Sequence, residues 1–146
     1  MIKPKNIIFD LQGVLFERNP DQPHLYVPIA EGMQLLKECS SHKAGHTLFV
    51  CSNMKAMNLE HIYQNYGSFM QLFTGVVTPE NAPGKKPDPE IFLYLLEKYG
   101  LLPEESLFLD DQEVNVSVAQ SLGITGIQVI NFDKVRQALT QLRVLD

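Results

Sequence analysis

Three carboxylates stand directly after two apolar runs of this chain: Asp10 after Asn6–Phe9, and Asp110 with Asp111 after Ser106–Leu109. Brought together, they would repel one another unless a cation lay among them. An all-oxygen carboxylate set suits Mg²⁺, which keeps several waters and often binds phosphate too. Two further features occupy comparable positions. Ser52 and Asn53 follow Thr47–Cys51, and Lys85 and Lys86 lie a short Gly/Pro loop beyond Gly75–Val77. A lysine is a poor metal ligand but a sensible point charge for a phosphate oxygen. The Ser52 hydroxyl and backbone N–H groups around Asn53 would supply more donors. A carboxylate can serve as the nucleophile of phosphoryl transfer, giving an aspartyl-phosphate, while cations offset charge on the equatorial oxygens. Taken singly, each feature also reads as a cap, a turn or a solvated loop. The adjacent acids after Ser106–Leu109 carry a repulsive cost and are the least ordinary. Four such features, in order at successive strand ends, point to one metal and phosphate site.

The elements that must position them are legible as alternation. The short apolar runs Asn6–Phe9, Thr47–Cys51, Gly75–Val77, Ser106–Leu109 and Gly126–Ile130 predict five strands buried on both faces. Helical patterns fall at Ile29–Ser41, Met57–Tyr66, Pro89–Tyr99, Val114–Leu122 and Asp133–Leu142. The third starts after an Asp-Pro pair and stops at Gly100; the fourth stops at Gly123. This rhythm predicts an α/β fold with a doubly wound, Rossmann-like parallel sheet of five strands and helices on both faces. In such sheets, ligands collect outside the carboxyl ends of the strands. One segment breaks the rhythm. Glu17–Pro28 carries three prolines among polar residues and reads as a loop.

Bulk properties set the frame. The 146 residues fit one domain spanning 1–146, with 45% hydrophobic and 20% charged residues, as in soluble globular proteins. A net charge of -5 without basic runs argues against nucleic acid as a partner, and more weakly against an anionic membrane surface. Cys39 and Cys51 lack metal spacing and read as reduced core residues, with a disulfide as the lesser alternative. The N-terminus begins like a signal peptide, but Asp10 and Gln12 interrupt its apolar run and no small-residue cleavage site follows. No apolar stretch is long enough to cross a bilayer, so a cytoplasmic location is expected.

The quoted residues resemble a known family. Phe9–Phe16, FDLQGVLF, is similar to the first motif of haloacid dehalogenase-like hydrolases, Asp-x-Asp-Gly-x-Leu/Thr. Val50–Asn53 resembles the second motif, a hydrophobic strand ending in Ser/Thr-Asn. Gly84–Phe92 resembles the third, built on Lys-Pro, and Phe108–Ile124 the fourth, Asp-Asp-x-x-x-Asn followed by Ala-x-x-x-Gly. The resemblance spans nearly the whole chain and implies a capless member related to the subfamily I phosphatases. It implies that Asp10 is the nucleophile and a Mg²⁺ ligand, that the Gln12 backbone carbonyl is a second ligand, that Asp111 binds the metal directly, and that Asp110 binds it directly or through water. It implies that Ser52 and the Asn53 backbone hold phosphate and that Lys86 neutralises both the phosphate and Asp10, with Lys85 as the fallback. Asn115 would brace the Asp110–Asp111 loop.

Two departures from the family pattern bear on function. Subgroup members commonly carry a helical cap between the first and second motifs, where this chain has only the loop 17–28. Without a lid the site would be open, suiting a phosphorylated small molecule or a phosphorylated macromolecule. Gln12 occupies the place of an aspartate that shuttles protons. Glutamine hydrogen-bonds but does not exchange protons near neutral pH. Turnover would then be slow, or restricted to acyl and aryl phosphates. His24 could stand in as a donor; it also reads as a solvated loop histidine. The leading expectation is a Mg²⁺-dependent phosphatase. The alternatives are a catalytically weak phosphate- and metal-binding regulatory module and, third, a 2-haloacid dehalogenase. Leu25, Tyr26 and Val27 could dock a second subunit, making a homo-oligomer, or could cover the core.

Overall fold

The computed structural model describes residues 3–146. Its central sheet has five parallel strands: β1 (Asn6–Phe9), β4 (Thr47–Cys51), β5 (Gly75–Val77), β6 (Ser106–Asp110) and β7 (Thr125–Gln128). Their order is β5-β4-β1-β6-β7. The chain builds outward from β1 in one direction, then returns to lay β6 against the other side of β1. The direction of winding therefore reverses between β1 and β6, which opens the crevice where ligands of such sheets bind. The expected fold class is the one observed.

The apolar runs form buried strands because their alternate side chains enter different cores. Ile7, Phe9, Leu48, Val50, Leu107 and Leu109 pack into the core beneath α1 (Ala30–Ser41), α2 (Ala56–Met70) and α5 (Phe132–Gln141). Ile8, Phe49, Cys51 and Phe108 point the other way, beneath α3 (Pro89–Tyr99) and α4 (Glu113–Ser121). Pro89 occupies the first turn of α3, where a missing N–H costs nothing, and Gly100 closes the helix at φ 64°. A short 3₁₀ turn, Pro103–Glu105, leads into β6. Among the described residues, no helix is long and apolar enough to cross a membrane. Cys39 and Cys51 are free and buried on opposite faces of the sheet, and burial pushes both thiols up to about 12.

Three expectations need correction. The segment 17–28 is not merely a loop. Phe16–Arg18 (β2) and Tyr26–Pro28 (β3) pair as an antiparallel hairpin, and only its tip is irregular. Pro28 is tolerated because it ends its strand. Tyr26 is buried and packs with Phe16 in the core, while Leu25 and Val27 are half-buried. The second helix runs past Tyr66 to Met70, with Tyr66 itself out of helical geometry (φ -134°, ψ 30°). Beyond that kink, Met70 is buried in the core and Phe69 packs against it, and burial outweighs the helix-weakening Gly67. The last strand begins at Thr125 and ends at Gln128, leaving Ile130 79% exposed beyond it.

Candidate active site

Each chemistry-bearing residue follows a strand of the central three or the loop beside them. Asp10 leaves the end of β1, Ser52 and Asn53 the end of β4, and Asp110 ends β6 with Asp111 next to it. Oxygen atoms of Asp10, Asp110 and Asp111 all lie within 4.8 Å of one another. Lys86 reaches the same point from the loop between β5 and α3. Its Nζ sits 2.9 Å from Asp10 Oδ1 and 2.7 Å from Asp110 Oδ2, and the side chain is only 2% exposed. Lys85, the fallback, is exposed, with its backbone N–H donating to Asp88 Oδ2. Of the two lysines, only Lys86 is in the cluster.

Local bonds fix each group. Leu11 N–H donates to Asp10 Oδ1 at 2.8 Å and Gln112 N–H donates to Asp110 Oδ1 at 2.8 Å. Asn115 Nδ2 donates to Asp110 Oδ2 at 3.1 Å, which is the bracing expected of it. Ser52 is buried and its Oγ accepts from Met54 N–H at 3.0 Å, leaving the hydroxyl proton free to donate. Gly13 has φ 89°, and a Cβ there would collide with the Asp111 carboxylate. Only glycine permits both that backbone conformation and that approach.

The electrostatics follow from burial. Desolvation raises the Asp10 carboxyl, Lys86 pulls it back, and Asp110 and Asp111 push it up again, leaving it at about 7. Burial also raises Asp111, as does its neighbour Asp110. Desolvation disfavours the Lys86 ammonium, but Asp10, Cys51 and Asp110 outweigh it and raise its pKa above the usual lysine value. Within this cluster one ammonium faces three carboxyl groups. A divalent cation fits the remaining imbalance, and the all-oxygen donor set is the kind that Mg²⁺ takes. Asp10, Gln12, Ser52, Asn53, Lys86 and Asp111 line a cavity of about 230 Å³.

Three contributions had no sequence signal of their own. The Asn53 side chain forms a paired bond with the Lys86 backbone: its Oδ1 accepts from Lys86 N–H at 2.8 Å, and its Nδ2 donates to the Lys86 carbonyl at 2.8 Å. Asn53 thereby positions the lysine loop, a role separate from any use of its own backbone. Gln12 is exposed and its Oε1 accepts from the Tyr26 hydroxyl at 3.1 Å, so the hairpin holds this side chain. Arg18 lies over the Tyr26 ring, 4.9 Å from its centroid. The triplet Leu25–Val27 thus contributes the Tyr26 hydroxyl that holds Gln12.

Comparison with known proteins gives the family and the fold. Residues 16–129 match the model of the haloacid dehalogenase-like hydrolase family, a stretch that begins after Asp10 and Gln12. Enolase-phosphatase E1 of Persephonella marina is 27% identical over 121 residues, 82% of this chain and 52% of that protein. A phosphoglycolate phosphatase of Vibrio vulnificus is 29% identical over 100 residues, 68% of this chain and 41% of its own length. The chain spans about half the length of the curated relatives it matches. Among solved structures, a haloacid dehalogenase-family enzyme of Bacteroides thetaiotaomicron, in complex with magnesium and inorganic phosphate, aligns with a TM-score of 0.72. It is 20% identical, the alignment covers 86% of this chain and 93% of that one, and at that identity the likeness is one of fold.

Proposed function

The chain belongs to the haloacid dehalogenase-like hydrolase family, and from that premise we propose that it is a Mg²⁺-dependent phosphatase acting through Asp10. The observation that carries the reading is the buried Lys86 ammonium held between Asp10 and Asp110, with Asp111 beside them. Asp10 attacks the phosphorus of a phosphate monoester, the bond to the leaving oxygen breaks, and an aspartyl-phosphate forms; water then releases phosphate and regenerates the carboxylate. Lys86 offsets charge on the attacking carboxylate and on the transferring group. The Ser52 hydroxyl and the Asn53 backbone hold the phosphate oxygens. Asp10, the Gln12 carbonyl, Asp110 and Asp111 would hold Mg²⁺, which supplies charge neutralisation to the phosphoryl group when bound. Gln12 can hydrogen-bond the leaving oxygen but cannot protonate it, so turnover favours leaving groups that depart as stable anions. The test is release of p-nitrophenol from p-nitrophenyl phosphate, with and without Mg²⁺, in the wild type and in Asp10→Asn. Hydrolysis is expected only with Mg²⁺ and an intact Asp10; equal rates in the two proteins would overturn the assignment.

A second expected result concerns stability. An ordinary aspartate titrates near 4 when unfolded, whereas burial holds Asp10 up at about 7 in the metal-free fold. Between those values the folded state binds a proton that the unfolded chain has lost, so this group makes stability fall as pH rises from about 4 to 7. A cation bound at the carboxylates displaces that proton. Mg²⁺ should therefore raise the Tm, and by more at pH 8 than at pH 5.5. At a hundredfold excess over Kd the gain is about 2.7 kcal/mol, or roughly 5–10 °C for a chain of this size. Thermal melts at both pH values with Mg²⁺ and with chelator check this. A Mg²⁺ increment independent of pH would contradict it.

A further inference from the structure

A second, larger cavity of about 590 Å³ opens beside the candidate site and shares Gln12, Asn53 and Met54 with it. The protein carries a net charge of -5, yet the residues lining this cavity include Arg18, Lys55, His24 and His61 and not one carboxylate. Lys55 is the N-cap residue of α2, makes no capping bond through its side chain, and is followed by no acid in the first turn. That arrangement opposes helix stability, because caps are normally Ser, Thr, Asp or Asn and a helix N-terminus already carries partial positive charge. Here the two positive contributions add at the cavity wall. Arg18 is held in place by donating to the Pro23 carbonyl at 2.8 Å and by stacking on Tyr26, which leaves most of its donors unused. Among the described residues, His61 Nε2 is the one buried side-chain polar atom without a hydrogen-bond partner, and His61 lines this cavity. The rest of the wall combines the polar side chains of Gln12, Asn53 and Asn58 with an apolar surface made of Met54, the Tyr26 ring and Met57, which is 75% exposed.

We propose that this cavity receives the leaving group of a small organic phosphate that has an apolar body and a second anionic group, bound by Arg18 and Lys55. The proposal rests on the phosphatase reading for the seat of the first phosphate and names the class of substrate. The volume lies in the range that small-molecule pockets occupy, about 300–1,000 Å³. Methionine and tyrosine surfaces suit an aryl or alkyl body. Arg18 offers a planar fork to a carboxylate or phosphate, and Lys55 a compact charge. The hairpin that stands where a cap would be thus selects the substrate with one arginine.

The test uses phosphonates, which are not hydrolysed, so binding is read separately from turnover. The Kd values of benzylphosphonate, 4-carboxybenzylphosphonate and 4-phosphonobenzylphosphonate are measured by calorimetry in Mg²⁺. The comparison is made in the wild type, in Arg18→Met and in Lys55→Met. Both residues are exposed, and methionine retains an apolar stem to cover the Tyr26 ring in place of Arg18. The probes with two anionic groups should bind about tenfold or more tightly than benzylphosphonate in the wild type, as expected for a charge-assisted hydrogen bond. That ratio should fall toward one in each variant. Preference for the carboxylate or for the second phosphonate identifies which anion the pocket suits. Equal affinities in the wild type, or a ratio that survives both substitutions, would overturn the proposal. So would tighter binding of a phosphotyrosine peptide than of either probe with two anionic groups, because the occupant would then be a protein. Failure of p-nitrophenyl phosphate hydrolysis with the affinity ratio intact removes the phosphatase reading and leaves the anion pocket standing.

Discussion

Replacing Lys86 with methionine is expected to slow p-nitrophenyl phosphate hydrolysis by about 10²–10³-fold and to destabilise the fold by about 3–5 kcal/mol. The two losses have one origin. Asp10 is 6% exposed and Asp110 is fully buried, and among the described residues the ammonium between them is the one cation in direct contact with both. Methionine fills much of the same space but leaves the carboxylates facing each other without compensation. The folded state then relieves the repulsion by protonating Asp10, whose carboxyl already stands at about 7 with the lysine in place. A protonated carboxyl is no nucleophile, so turnover near neutral pH falls for that reason as well as for the lost charge. The stability loss should shrink at low pH, where Asp10 is protonated in any case. Added Mg²⁺ should restore part of the stability but not the turnover. Denaturant titrations at two pH values, alongside the rate, check this. A variant that melts with the wild type would show that Lys86 is not holding the carboxylates together.

Gln12→Asp is expected to accelerate hydrolysis of alkyl phosphates by about 10²-fold or more, the scale of general acid/base assistance. Alkoxide leaving groups need a proton that glutamine cannot give. Aryl phosphates should gain less, and chiefly through faster hydrolysis of the aspartyl-phosphate. The structure adds a constraint. Gln12 Oε1 is held by the Tyr26 hydroxyl at 3.1 Å, and aspartate is one methylene shorter. The full gain requires the shorter side chain to give up that bond and point at the phosphate. Steady-state kinetics on matched alkyl and aryl substrates measure the split. An unchanged alkyl rate would mean that proton transfer at position 12 does not limit this protein.

The sheet was legible in the sequence because its strands are covered on both faces. Asn6–Phe9 and Thr47–Cys51 needed no alternation to be recognised, and their ends located Asp10 and Ser52 directly. Pro89 and Gly100 bounded α3 because each has a backbone preference that few other positions tolerate. The hairpin was hidden for the opposite reason. Its strands are three residues each, too short for a periodic signal, and Pro20, Pro23 and Pro28 give the segment the composition of a loop. Arg18 and Tyr26 therefore had no visible reason to approach Gln12. The Asn53 side chain was hidden differently. Its partner is the backbone of Lys86, 33 residues away, and a backbone group leaves no mark in the sequence. What a residue type and its neighbours determine was readable; what a long-range contact to main chain determines was not.

The position of β1 in the middle of the sheet has a consequence for how the molecule is made. β1 pairs with β4 on one side and with β6 on the other, and its partner Ser106 lies 100 residues from Asn6. During synthesis the nascent chain can dock β4 and β5 early, but the other edge of β1 stays open until β6 emerges. An open apolar edge is a template for pairing with another chain. Contacts of such long sequence separation also slow folding. A ribosome-bound intermediate ending before Ser106 would present Ile7, Ile8 and Phe9 along a strand paired on one edge only, with Asp10 at its tip and neither Asp110 nor Asn115 yet made. The carboxylate cluster and the protection of the central strand are thus completed in the same late event.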